Sequence, residues 1–309
     1  MIVTVTPNPS LDRTLHLPRL VPGGVNRATT TMTEPSGKGV NVALALHGVD
    51  VPVRAVLPVG GGTGREIRSA LDTLGLDVVG VPIAGEVRSN VSLVEADGRS
   101  TKVNEPGPTV TEDEVDALCA AAATADRVLW AGSLPAGFAP SRLARAVAEA
   151  RAAGRWVGVD ASGAVLAAVL ADPARVPHLV KPNVDELAEV LGLELRTVGD
   201  VEAAARRLLD RGVRTVLVSL GGAGAVLVDA DLSDALHGTA PARRVVNTVG
   251  AGDAFLAGYL AVPGGGPDAL ANALRFGATA VEHDGTLLGV PDRRRAVNLA
   301  PVRADAPLA

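Results

Sequence analysis

The sequence predicts an α/β fold, a mostly parallel sheet covered by helices. Three observations carry that expectation. Short apolar runs alternate with helix-patterned runs over most of the 309 residues. Runs such as Thr215-Val216-Leu217-Val218 are apolar without alternation, which suits strands buried on both faces. The rhythm then breaks over 13–35 and 86–105, where apolar and polar residues alternate without a helix period.

Taken in order, strands are expected over Ile2–Thr6, Val53–Val59, Arg127–Ala131, Trp156–Asp160, His178–Lys181 and Thr215–Leu220. Helices are expected over Val40–His47, Gly64–Leu74, Glu112–Ala123, Pro140–Ala153, Val184–Leu191 and Val201–Arg211, and again from Ala254 to Ala261. Within 86–105, Asp97-Gly98 is a hairpin signal between Arg88–Val94 and Ser100–Asn104. Segments 13–35 and 86–105 are therefore expected to form a small β-sheet projecting from the main body. Charged and amide side chains cluster there, which favours a lid over a merely decorative edge hairpin. No low-complexity linker divides the chain, and one domain over 1–309 is expected. The tail after Asn298 is expected to fray.

Composition excludes several function classes. The net charge is −5, and Arg293-Arg294-Arg295 is too short for a nucleic-acid track. Six aromatic residues cannot build base-stacking platforms or aromatic sugar-binding walls. Cys119 is the single cysteine, so neither an intrachain disulfide nor a cysteine-based metal site is possible. It is expected to be a small core residue. The five histidines lack metal-ligand spacing. No apolar run reaches membrane-spanning length, and the expected location is the cytoplasm.

Chemistry concentrates in glycine-rich junctions. In Asn247-Thr248-Val249-Gly250-Ala251-Gly252-Asp253-Ala254-Phe255, small residues run up to one carboxylate where a helix begins. Free backbone N–H groups at that helix start fit an anion and Asp253 fits a hydroxyl, or else the run is a plain glycine-rich turn with Asp early in the helix. Gly37-Lys38-Gly39-Val40-Asn41 gives close backbone approach, a mobile cation and an amide, or else a plain helix entry. Ser219-Leu220-Gly221-Gly222-Ala223-Gly224 reads as a tight strand-to-strand turn. In Lys181-Pro182-Asn183-Val184-Asp185-Glu186, Asn183 is an N-cap with Glu186 three residues on, and both stand at a strand's C-terminal edge. A magnesium–water contact is compatible with that position. Gly60-Gly61-Gly62-Thr63-Gly64 lacks the spacing of a dinucleotide fingerprint.

These motifs, with Thr6-Pro7-Asn8-Pro9-Ser10-Leu11-Asp12, Gly132-Ser133-Leu134-Pro135-Ala136-Gly137 and Asp160-Ala161-Ser162-Gly163, resemble the ribokinase/PfkB family of sugar kinases in order and spacing, almost end to end. Asn104-Glu105-Pro106-Gly107-Pro108 and Arg88-x-Asn90-Val91 point to its phosphosugar branch. The resemblance implies a ribokinase-like three-layer α/β/α domain with a β lid. It implies ATP-dependent phosphorylation of a ketohexose phosphate, with fructose 1-phosphate to fructose 1,6-bisphosphate favoured. Ser92 departs from that pattern, since a lysine often follows Asn-Val there. Tagatose-6-phosphate kinase and a minor-type 6-phosphofructokinase are the alternatives. A kinase for an unphosphorylated sugar and a non-catalytic sugar-phosphate sensor rank lower.

The resemblance assigns Asp253 as general base, with Gly250, Ala251 and Gly252 as the anion hole. Asp12 would bind sugar hydroxyls, and Lys38, Arg88 and Lys102 the existing phosphate. Gly37, Gly39, Asn41, Asn90 and Ser133 would complete that pocket. Lys181, Asn183, Ser219, Gly221, Gly224, Gly250, Gly252 and Gly277 would hold ATP, with adenine in an aliphatic slot near Gly277 and Ala278. Asn183 and Glu186 would contact Mg²⁺ through water. The family's lids often pair, so a homodimer through the β lid is implied.

Overall fold

The computed structural model describes residues 1–283, 285 and 291–308. The elements run β1 (Ile2–Val5), β2 (Ser10–Leu17), β3 (Thr30–Ser36), α1 (Lys38–His47), β4 (Val53–Val59), α2 (Gly61–Thr73), β5 (Asp77–Pro82), β6 (Arg88–Glu95), β7 (Ser100–Asn104), α3 (Glu112–Ala122), β8 (Arg127–Ala131) and α4 (Pro140–Ala152). Then follow β9 (Trp156–Asp160), α5 (Gly163–Val169), β10 (Leu179–Val180), α6 (Val184–Leu191), α7 (Val198–Asp210), β11 (Thr215–Ser219), β12 (Ala225–Asp229), β13 (Leu236–Thr239), α8 (Ala251–Leu260), α9 (Gly266–Ala280) and β14 (Asn298–Pro301).

The main sheet has the order β14-β13-β12-β11-β10-β9-β8-β1-β4-β5. It is parallel from β5 through β11 and antiparallel over the last three pairings. Strand residues alternate between two cores. Val128, Trp130, Val216 and Val218 face the layer of α3 to α7, and Leu129 and Leu217 face α1, α2, α8 and α9. This is a three-layer α/β/α arrangement. Each strand must be apolar on both faces to serve it, which explains the unbroken apolar runs.

A second sheet has the order β3-β2-β6-β7. Its β2 pairs with β6 in parallel, setting Ser10 beside Arg88 and Asp12 beside Asn90. The Asp97-Gly98 turn closes β6 on β7, with the Gly98 N–H donating to Glu95 O at 2.9 Å.

The tail corrects an expectation. Beyond Asn298 it does not fray: β14 pairs with β13, and Val198 N–H donates to Ala306 O at 2.8 Å. Backbone pairing holds it in place, and Leu299, Val302, Ala306 and Leu308 pack against the two cores. Cys119 lies buried in α3, and burial pushes its thiol up to about 11. Among the described residues, no helix is long and apolar enough to cross a membrane.

Candidate active site

Parallel strands deliver their C-terminal residues to one edge. Here β9 ends on Asp160, β10 runs into Lys181, β11 ends on Ser219, and β8 leads to Gly132 and Ser133. Asp160 is completely buried. Lys38 Nζ lies 3.0 Å from its Oδ1 and Lys181 Nζ 3.3 Å from its Oδ2. Burial alone would raise the Asp160 pKa, but the two lysines hold it below the ordinary carboxylate value. In return Asp160, aided by Asp253 and Glu186, outweighs the burial of Lys38 and raises that ammonium's pKa.

Asp253 stands in the first turn of α8, buried, and accepts a 2.8 Å hydrogen bond from Asn41 Nδ2. A helix N-terminus ordinarily favours an ionised carboxylate. Here burial, then the neighbouring Asp160 charge, push the Asp253 pKa up to about 6 against Asn41, Lys181 and Lys38. Such a carboxylate is largely ionised at neutral pH yet basic enough to take a hydroxyl proton.

Gly250 enters α8 at φ 77°, in the left-handed region, and turns the preceding loop onto the helix axis. The amides of Gly250 and Gly252 have no acceptor among the described residues, while Ala251 N–H makes a long 3.4 Å contact to Thr248 O. A Cβ at Gly252 would lie 3.5 Å from Lys181 Nζ, so that ammonium borders the amides. Amides and an ammonium in this arrangement can hold an anion, and the carboxylate beside them can take a proton.

A second cluster lies where the small sheet joins the body. Ser10 Oγ donates to Asp12 Oδ1 at 2.7 Å, and Asn90 Nδ2 donates to the same oxygen at 2.9 Å. Arg88 donates through Nη1 to Glu105 O and through Nη2 to Asn8 O, both at 3.2 Å. Among the described residues its buried Nε has no partner, nor do Asn8 Oδ1, Asn90 Oδ1 and Asn41 Oδ1. Ser133 joins this cluster through Asn8, whose Nδ2 donates to Ser133 Oγ at 3.4 Å. Gly37 and Gly39 press the start of α1 onto Thr6: a Cβ at either would fall 2.6 Å or 2.5 Å from a Thr6 side-chain atom.

A cleft of about 470 Å³ opens at the start of α8. Ser219, Gly221, Gly224, Ala251, Gly252 and Gly277 line it. Its remaining walls, Ala278 among them, are aliphatic apart from Phe255 and Thr248. Asn183 and Glu186 form a reciprocal capping box, with Glu186 N–H donating to Asn183 Oδ1 and Asn183 N–H to Glu186 Oε2. Glu186 Oε1 takes no part in it.

The structure therefore brings Lys38 to Asp160, on the Asp253 side of the site. Lys102 lies exposed on β7 opposite Ser92, away from the bonds that join Asp12, Asn90 and Arg88. The Gly60–Gly64 run is no open anion site, because Glu86 accepts the Gly62 and Thr63 N–H groups at the start of α2. Sequence reasoning missed Asp160 and Asn8 as site residues. A charged residue ending a buried apolar strand was the signal for Asp160. Nothing local marks Asn8, whose contacts lie 98 and 125 residues away.

The profile of the pfkB family carbohydrate kinases matches residues 6–293. The chain belongs to this family. The kinase is 39% identical over 284 residues to a 1-phosphofructokinase of Haloferax volcanii, covering 90% of this chain and 88% of that protein. It resembles the crystal structure of phosphofructokinase-2 from Escherichia coli in complex with potassium, with a TM-score of 0.87 and 32% identity over 93% of this chain and 94% of that one. Ribokinase from Thermotoga maritima shares the kinase's fold, with a TM-score of 0.71 and 20% identity over 93% and 94% of the two chains.

Proposed function

We propose that this kinase transfers the γ-phosphoryl group of ATP to the free primary hydroxyl of a ketohexose phosphate, with fructose 1-phosphate preferred and fructose 1,6-bisphosphate the product. The observation that carries the reading is Asp253: a buried base with a pKa of about 6, set beside unpartnered amides at the mouth of a nucleotide-sized cleft. Asp253 takes the hydroxyl proton. The hydroxyl oxygen then bonds to the γ-phosphorus, the bond from that phosphorus to the β–γ bridging oxygen breaks, and ADP leaves with the electron pair. Amides of Gly250, Ala251 and Gly252 and the Lys181 ammonium stabilise the charge on the phosphoryl oxygens. Lys38, paired with Asp160 but part-exposed, is assigned with Arg88 to the existing sugar phosphate.

The unpartnered Arg88 Nε supports a substrate that already carries a phosphate, since a guanidinium offers that anion a planar fork. Asp12 and Asn90 orient the sugar hydroxyls. Lys102 reaches the phosphate only if the small sheet closes as a lid, which also excludes water. Mg²⁺ bound with ATP would neutralise phosphate charge, and the free Glu186 oxygen, with Asn183 beside it, fits a water-mediated contact. The exposed edge strand β7 supports a homodimer through the lid. An unpaired, buried Cys119 suits a reducing cytoplasm.

A 6-phosphofructokinase is the second reading, favoured by the likeness to phosphofructokinase-2. The two are separated by ADP release from Mg-ATP with fructose 1-phosphate, fructose 6-phosphate, tagatose 6-phosphate, fructose and ribose. The proposal expects the highest kcat/KM for fructose 1-phosphate. Preference for a 6-phosphate would overturn the substrate, and preference for free fructose or ribose would overturn the phosphosugar reading.

A further inference from the structure

The two walls of the cleft come from different parts of the chain. One wall is the irregular stretch from Ala240 to Thr248, and the other is the face of α9 through Gly277, Ala278 and Val281. The first has no helix or strand to hold it, so its position depends on what its backbone groups meet.

Arg295 and Glu282 supply those partners. The Arg295 side chain is only 5% exposed and that of Glu282 16%. The guanidinium forks onto the carboxylate, with Nη1 donating to Oε1 at 3.0 Å and Nη2 to Oε2 at 2.6 Å. Arg295 Nη1 also donates to Pro241 O at 2.6 Å, and the Arg243 N–H donates to Glu282 Oε1. Glu282 itself follows the end of α9, directly after the wall residue Val281. Next to it, Val246 N–H donates to Val281 O at 2.7 Å. One buried ion pair thus ties the irregular wall to the helical wall at Pro241 and Arg243. The same stretch continues into Gly250 and the anion site.

We propose that the Arg295–Glu282 pair is a positioning clamp that sets the width of the nucleotide cleft, and that it governs ATP affinity without touching ATP. This rests on the assignment of the cleft to the nucleotide. The fork matters as well as the charge. Lysine would keep the charge but lose the planar fork that serves both Glu282 oxygens and Pro241 O together. Glutamine at 282 would turn an amide N–H₂ toward the guanidinium.

The test measures KM for ATP and for fructose 1-phosphate in Arg295→Lys and Glu282→Gln, each co-substrate varied with the other saturating. The clamp predicts a rise in the ATP constant of about tenfold or more, as for loss of a charge-assisted hydrogen bond, with the sugar-phosphate constant within about twofold of wild type. If a single variant fails to fold, the double variant Glu282→Leu/Arg295→Met removes both charges together, a replacement that folded proteins often accept. It must show the same selective rise. An unchanged ATP constant in a folded variant, or equal rises for both substrates, overturns the clamp. Calorimetry of ADP with the wild-type protein separates the two ideas: no binding overturns the nucleotide reading itself, whereas binding with unchanged variants overturns the clamp alone.

Discussion

Asp253→Asn should stop the enzyme and stabilise the protein at the same time. In the folded chain the carboxyl holds its proton up to about 6, against an ordinary value of 3.8. The folded state therefore binds more protons than the unfolded state between those values, and stability falls as pH rises through that window. The accumulated loss is about 3 kcal/mol, fully present above the folded pKa and absent below 3.8. An asparagine keeps a carbonyl oxygen for Asn41 Nδ2 but carries no charge beside Asp160. The variant should gain about 3 kcal/mol at pH 8 and almost nothing at pH 4, a melting-temperature difference of roughly 5 °C at the higher pH. Thermal melts of both proteins across pH 4–8 measure it, alongside turnover with ATP and fructose 1-phosphate. Turnover should fall by orders of magnitude, since the base that receives the proton is gone. A variant less stable than wild type at pH 8, or a stability difference that ignores pH, would refute the account of the buried charge. An active variant would refute Asp253 as the base.

Asp160→Asn removes the second negative charge and frees two lysines, so the acid limb of the kcat/KM profile should move to lower pH; an unmoved limb would show that Asp160 does not act on Asp253. The same variant should lose about 3 kcal/mol of stability, because Lys38 and Lys181 lose their partner in a buried setting. Arg88→Lys should raise KM for the sugar phosphate about tenfold while leaving that for ATP nearly unchanged, and equal rises would sink the phosphate assignment. Gly258→Ala should cost about 1–3 kcal/mol, because its Cβ would sit 2.8 Å from Ala273 Cα and 2.9 Å from Asn272 O and force α8 away from α9. A melting temperature equal to wild type would show that the two helices are looser than their contact implies.

How much of this was legible in the sequence depends on the range of the forces involved. The parallel strands showed through because burial on both faces imposes a local apolar run, as in Thr215–Ser219. The α8 entry showed through because a left-handed residue, free amides and a first-turn carboxylate are neighbours in sequence. The strands β12, β13 and β14 were harder to read. Their pairing is antiparallel and set by register with a distant partner: Leu236 faces Pro301 across 65 residues (301 − 236). The same reason hid Asp160 as a functional group. Its ion pairs join residues 122 and 21 positions away (160 − 38 and 181 − 160), so the one local signal, a charged residue ending a buried apolar strand, does not name its partners.

The division of the site into two clusters bears on specificity. Fructose 1-phosphate and fructose 6-phosphate each present a free primary hydroxyl, so the groups around Asp253 see nearly the same reacting atoms in both. Discrimination must come from the other end of the sugar, which the proposed function assigns to Arg88 and Asn90, with Asn8 bonded beside them. Arg88 Nε, Asn8 Oδ1 and Asn90 Oδ1 are buried without partners among the described residues. A ligand that fails to satisfy such a group leaves a penalty of about 1–3 kcal/mol each, and two unmet groups already separate substrates by a hundredfold or so. On the proposed assignment the core strands and α8 supply the same chemistry to either sugar phosphate, and substitutions in the small sheet should change which one is preferred.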